Sequence, residues 1–151
     1  MNGKECLQQI QVMDVTIIQK VKQLEEMRRM YSYLRGTRVG VGSKSSGISE
    51  GFTKASNKML DLELSLTRKI EVFQLMKNEC IEMIHSLQKP EYMEVLYKRY
   101  VEYKTVERIS YEMNYTYKYT SQLLTKALKA FEMQNATKLE NIKNKCAKMV
   151  S

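Results

Sequence analysis

From residue 7 to residue 34 the apolar positions are Leu7, Ile10, Met13, Ile17, Val21, Leu24, Met27, Tyr31 and Leu34, each three or four residues after the last. That is the period of one helical face, and no glycine or proline interrupts it. The spacing predicts a helix from about Glu5 to Leu34, about 45 Å long at 1.5 Å per residue. Met59, Leu62, Leu66, Ile70, Phe73, Met76, Cys80, Met83 and Leu87 repeat the pattern and predict a second helix from about Lys54 to Gln88. Leu60, Leu64, Val72, Leu75, Ile81 and Ile84 widen its apolar surface beyond a narrow two-helix seam. Two helices of matching length predict an antiparallel hairpin. The surplus width predicts packing on the carboxyl part of the chain or on a second copy.

Between these helices, Gly36 to Phe52 reads as a loop, because five of the six glycines fall between Gly36 and Gly51. Gly40-Val41-Gly42-Ser43-Lys44-Ser45 invites a phosphate-loop reading, which fails. That motif needs glycine directly before the lysine and a buried strand before the loop. Here Ser43 precedes Lys44 and a helix precedes the loop, so a flexible linker is expected.

Lys89-Pro90 ends the second helix, since proline disfavours helix at the residue before it. A domain boundary is expected there. Glu91 to Glu102 reads as a short helix with Leu96 and Tyr100 inward. Thr105 is placed to cap a second, carrying Val106, Ile109 and Met113. Asn114-Tyr115-Thr116 predicts a tight break, asparagine tolerating the left-handed conformation such a turn needs. Thr116 then caps a third helix, Tyr117 to about Phe131. Thr120, Leu123, Leu124, Ala127, Leu128 and Phe131 form its apolar side; Lys118, Ser121, Gln122, Thr125 and Lys129 form the other. The fold class expected is all-α, in three parts. Residues 1–89 form the hairpin, with its loop at 36–52 and a role in self-association. Residues 90–131 form a helix-turn-helix. Residues 132–151 are a basic tail or a helical extension, Leu139, Ile142, Cys146 and Met149 recurring at helical spacing.

Composition narrows the chemistry. The 151 residues suffice for one ordinary domain or two small ones, and 43% hydrophobic content supplies a packed core. No apolar run approaches the roughly 18 residues of a membrane span. The polar start, Met1-Asn2-Gly3-Lys4-Glu5-Cys6, predicts no secretory signal. Cys6, Cys80 and Cys146 are odd in number and far apart, which fits reduced thiols in a cytoplasm, and Cys80 falls on the apolar stripe as a buried hydrophobe. His85 is the only histidine, so no histidine-rich metal site and no serine-histidine-acid set is available. Glu82 and His85 have the Glu-x-x-His spacing of di-iron bundles, but that site needs two such motifs, so both are read as surface residues. The expectation is a chain that is not an enzyme and carries no cofactor, metal site or catalytic residue.

Charge points to a polyanionic partner. The net charge is +8, and residues 113–151 hold seven lysines against two acids. Between Asn114 and Phe131 there are three lysines and no acid. A helix face with lysine and glutamine tips and no carboxylate suits a major groove, where a carboxylate would be repelled by phosphate. Tyrosine is also skewed: eight of ten lie between Tyr92 and Tyr119.

The run Leu96-x-x-Arg99-Tyr100-Val101-Glu102-x-x-Thr105-x-x-x-Ile109-Ser110-x-x-Met113-Asn114-Tyr115-Thr116-x-x-Tyr119-x-x-x-Leu123-x-x-x-Ala127-Leu128 resembles region 4 of sigma-70-type factors. It is particularly similar to small phage and prophage proteins of Gram-positive bacteria, the ArpU/RinA-like late transcriptional regulators. With the long helix, the Gly/Ser-rich loop and the stretch Lys58 to Glu63, the resemblance covers roughly residues 20 to 131. It differs in having Ser110 where alanine is common and Asn114 where the turn glycine is usual. The resemblance implies a cytoplasmic protein of a bacterial host that binds double-stranded DNA through its third short helix and controls transcription. By position, the reading residues would be Thr116, Tyr117, Lys118, Ser121, Gln122 and Thr125, with Lys126 and Lys129 as phosphate contacts. Two other functions fit the same parts: a phage terminase small subunit that recognises DNA for packaging, and a coiled-coil adaptor that binds RNA polymerase.

Overall fold

The structure, a computed structural model, describes residues 2–39 and 49–150. Its α-helices are α1 (Gly3–Val39), α2 (Ser49–His85), α3 (Pro90–Leu96), α4 (Val106–Met113), α5 (Tyr117–Gln134) and α6 (Ala136–Val150), with a π-helical turn at Tyr97–Val101. No strand occurs among the described residues, and the protein is all-α. Helices α1 and α2 run into the expected loop at 36–52 from both sides, taking Gly36 and Gly51 into helix. An isolated helical glycine costs about 1 kcal/mol against alanine, which a long helix absorbs. The motif around Lys44 lies outside the described residues. Helix α2 stops at His85, short of the expected Gln88. There the Leu87 N–H reaches the Ile84 carbonyl at 3.2 Å and the Leu87 side chain is buried. Pro90 then opens α3 in its first turn, behind an extended Lys89.

The chain divides into two compact units that do not follow a boundary at Pro90. One comprises residues 15–74, from α1 and α2. Arg28 pairs with Glu63 at 2.7 Å and the Tyr31 hydroxyl meets that of Ser56 at 3.2 Å, so the two segments run antiparallel. Leu24 and Leu66 are buried in this unit, but Leu62, which lies on the expected inward stripe, is 47% exposed. Leu60 and Leu64 beside it are 58% and 50% exposed, so apolar surface is left uncovered.

The other unit joins residues 1–14 to residues 75–151. The first turns of α1 and the end of α2 therefore belong with the short helices rather than with the hairpin. The reason is burial: Leu7 and Ile10 of α1, Met83 and Ile84 of α2, Val95 and Leu96 of α3, Ile109 of α4, Phe131 of α5 and Ile142 of α6 are all nearly or wholly excluded from solvent. Polar ties fix the arrangement. The Gly3 N–H donates to Glu132 at 2.6 Å, and Gln134 donates to the Ser86 carbonyl at 2.5 Å. Asp14 accepts from the Tyr103 hydroxyl and pairs with Lys77 at 2.6 Å. Tyr103 has φ 58, in the left-handed region, and follows the π-helical turn, where the Glu102 N–H reaches the Tyr97 carbonyl at 3.0 Å. Beyond the expected end at Phe131, α5 continues to Gln134, and Ala136–Val150 form the separate helix α6. Asn135, buried and off the helical conformation, divides α5 from α6. Leu139 and Ile142 are buried, and Lys145 pairs with Glu79 at 2.9 Å.

Candidate nucleic-acid interface

The α4–α5 pair is built from three local devices. Thr105 is extended, and its hydroxyl accepts from the Arg108 N–H at 3.2 Å, satisfying a free donor at the start of α4. At the other end Asn114 adopts φ 58, ψ 40. The Tyr115 N–H reaches back to the Ser110 carbonyl at 2.9 Å, and the Asn114 N–H to that of Tyr111 at 3.3 Å. This is the Schellman arrangement, which closes a helix through one left-handed residue. Two residues later Thr116 caps α5, its hydroxyl accepting from the Tyr119 N–H at 3.1 Å.

Helix α5 packs on α3 and α4 and buries Thr120, Leu123, Ala127 and Phe131, with Leu124 and Leu128 half-buried beside them. The expected reading residues fall on the other side. Thr116, Tyr117, Lys118, Gln122, Thr125, Lys126 and Lys129 are exposed and Ser121 is partly covered. The Thr125 hydroxyl is turned back to the Ser121 carbonyl at 3.1 Å, leaving its oxygen free to accept. Among the described residues Lys118, Lys126 and Lys129 make no ion pair. The helix's own acid, Glu132, is engaged by the Gly3 N–H.

The cations of α4 and the preceding turn are placed differently. Glu112 draws in Lys104 at 2.9 Å, Lys98 at 3.2 Å and Arg108 at 3.4 Å, and Lys104 also meets Glu102 at 2.7 Å. The hydrogen bond from Lys104, with that from Lys98, holds the Glu112 carboxyl below its ordinary range. Glu102 and Glu112 together raise the Lys104 ammonium. These charges organise the turn, whereas the α5 lysines face outward unneutralised.

Aromatic side chains flank the α5 face, and the sequence reading had no role for most of them. Tyr111 (77% exposed), Tyr117 and Tyr119 are on the surface. Tyr115 meets Tyr119 edge-on at 4.7 Å and donates its hydroxyl to Glu91 at 3.2 Å. Arg108 lies 5.8 Å from the Tyr111 ring. The tyrosine skew between 92 and 119 was the signal for this patch. His85, exposed at the end of α2, stacks on Tyr97 with ring centroids 5.8 Å apart. Among the described residues no group of three or more histidine, cysteine or acidic side chains is placed to hold a metal. No helix among them is long and apolar enough to cross a membrane.

No protein-family model, curated protein or solved structure matches this chain.

Proposed function

We propose that this chain is a DNA-binding transcription regulator of phage type, which seats α5 in the major groove. The observation that carries the reading is the outward face of α5. Lys118, Ser121, Gln122, Thr125 and Lys129 share it with no carboxylate between Asn114 and Phe131, on a helix capped at Thr116 and aimed by the left-handed Asn114. Such a face offers donors to base edges and positive charge to phosphates. The likeness of Leu96 to Leu128 to sigma region 4 supports the same assignment. The apolar surface left at Leu60, Leu62 and Leu64 supports self-association, which would present two reading helices to paired half-sites.

Footprinting of the tagged protein across the genome of its host tests the function directly. Discrete occupied sites at promoters support a regulator. Occupancy confined to a packaging start site, or recovery of RNA polymerase with no DNA affinity, assigns the chain to the terminase or adaptor class instead. Substitutions then locate the face. Gln122→Ala and Lys118→Ala should lose about 1–3 kcal/mol at the cognate site and much less elsewhere. Lys126→Ala and Lys129→Ala should weaken all sequences alike and flatten the salt slope by about one unit each. Lys77, paired with Asp14, is the control.

A further inference from the structure

Cys6 and Cys80 stand far apart in the chain and in no Cys-x-x-Cys motif, yet their Sγ atoms lie 3.7 Å apart. Both are free thiols with no solvent exposure, one in the first turns of α1 and the other near the end of α2. Both belong to the unit that carries α5. The third thiol, Cys146 on α6, is partly exposed.

We propose that Cys6 and Cys80 form a reversible disulfide by exchange with a low-molecular-weight disulfide such as oxidised glutathione. The sulfurs must close from 3.7 Å to the bonded distance of about 2.03–2.05 Å, starting from a contact in which they already face each other. The contact between the two thiols lowers Cys6 and, with burial, raises Cys80, so Cys6 is the attacking thiol. Its thiolate attacks one sulfur of the glutathione disulfide, forming a mixed disulfide and releasing one glutathione. Cys80 loses its proton and attacks the Cys6 sulfur, releasing the second glutathione. The two protein thiols are oxidised by two electrons, one glutathione disulfide is reduced to two thiols, and the two protons end on the released glutathiones. Because both cysteines are buried, exchange proceeds through local opening and is slow compared with reaction at Cys146. The bond ties the start of α1 to α2 within the unit that holds the candidate DNA-reading helix.

The test incubates the full chain in glutathione buffers of rising oxidised fraction, alkylates the remaining thiols, and reads intact mass and a peptide map. The expected product lacks two alkylations, links the Cys6 peptide to the Cys80 peptide, and reverts on reduction. Cys146→Ser should still form it and Cys6→Ser should not. A link from either cysteine to Cys146 overturns the proposal. So does full alkylation of Cys6 and Cys80 after long incubation at the foot of the thermal transition, where opening is frequent. If Cys6→Ser does not fold, the peptide map of the unsubstituted chain decides alone.

Discussion

The turn between α4 and α5 depends on one residue, and two substitutions there should change stability by different amounts. Asn114 sits at φ 58, ψ 40, and its exposed side chain makes no hydrogen bond among the described residues. Asn114→Ala therefore deletes no side-chain contact. What it changes is the energy of the left-handed backbone, which costs an ordinary L-residue roughly 1–2 kcal/mol and asparagine less. Asn114→Ala should destabilise by about 1 kcal/mol. Asn114→Gly removes the steric cost but makes the unfolded chain more flexible, a loss of about 0.4–1 kcal/mol, so it should lie near the parent protein. The separation between the two variants should be about 1 kcal/mol, or roughly 2–4 °C in melting temperature for a chain of this size. Intrinsic fluorescence in urea is a suitable assay. The chain has no tryptophan, and eight of its ten tyrosines lie between Tyr92 and Tyr119, in the unit containing the turn. The midpoint should fall for alanine and hold for glycine, at constant slope. An alanine variant as stable as the glycine variant would refute the left-handed turn and, with it, the aim of α5.

Four further outcomes follow from separate parts of the molecule. A Cβ on Gly3 would sit 2.5 Å from Glu132 Cγ and 3.0 Å from Phe131 Cδ1, so Gly3→Ala should cost about 1–3 kcal/mol in urea melts, and markedly less in a Glu132→Ala background. Glu112 titrates below its ordinary 4.5 when folded, so its contribution to stability is complete above that pH and is lost as pH falls through the lowered value. The stability gap between the parent and Glu112→Gln, followed from pH 6 downward, should therefore narrow on acidification; a constant gap would count against the ion cluster. Light scattering at tens of micromolar should give more than a monomer, and Leu60→Glu with Leu64→Glu should shift it toward monomer. Finally, the DNA titrations of Gln122→Ala and Lys129→Ala should separate, the first changing sequence preference and the second only overall affinity; equal behaviour would misplace the reading face.

What could be read from the sequence was what neighbours in sequence decide. The two apolar stripes, the caps at Thr105 and Thr116 and the turn at Asn114 each rest on residues within one or two helical turns. Leu62 on the second stripe is exposed, but the caps and the turn are found where expected. So is the sidedness of α5, because periodicity alone separates Lys118 and Gln122 from Leu123 and Ala127. Local composition misled at Gly36 and Gly51, where helix persists. The remaining features are made by residues distant in the chain. Nothing near Asp14 announces Tyr103 and Lys77 as its partners, nor does anything near Gly3 announce Glu132. The grouping of α1's first turns with α3 to α6 has the same origin.

That grouping has a consequence for how the protein is made. Residues 1–14 belong to a body whose other members begin at Leu75. At ribosomal speeds of about 5–20 residues per second, the intervening stretch takes roughly 3–12 s to synthesise. For that time Leu7 and Ile10 have no native partners, and at its end the segment 15–74 holds both sides of its own pairing. The middle of the chain can thus close before its flanks do, and Leu7 and Ile10 pass that interval as an exposed apolar stretch of the kind chaperones bind. A fragment started at Pro90 would meet the opposite problem, carrying α5 without residues 1–14 and 75–89 of the same compact unit.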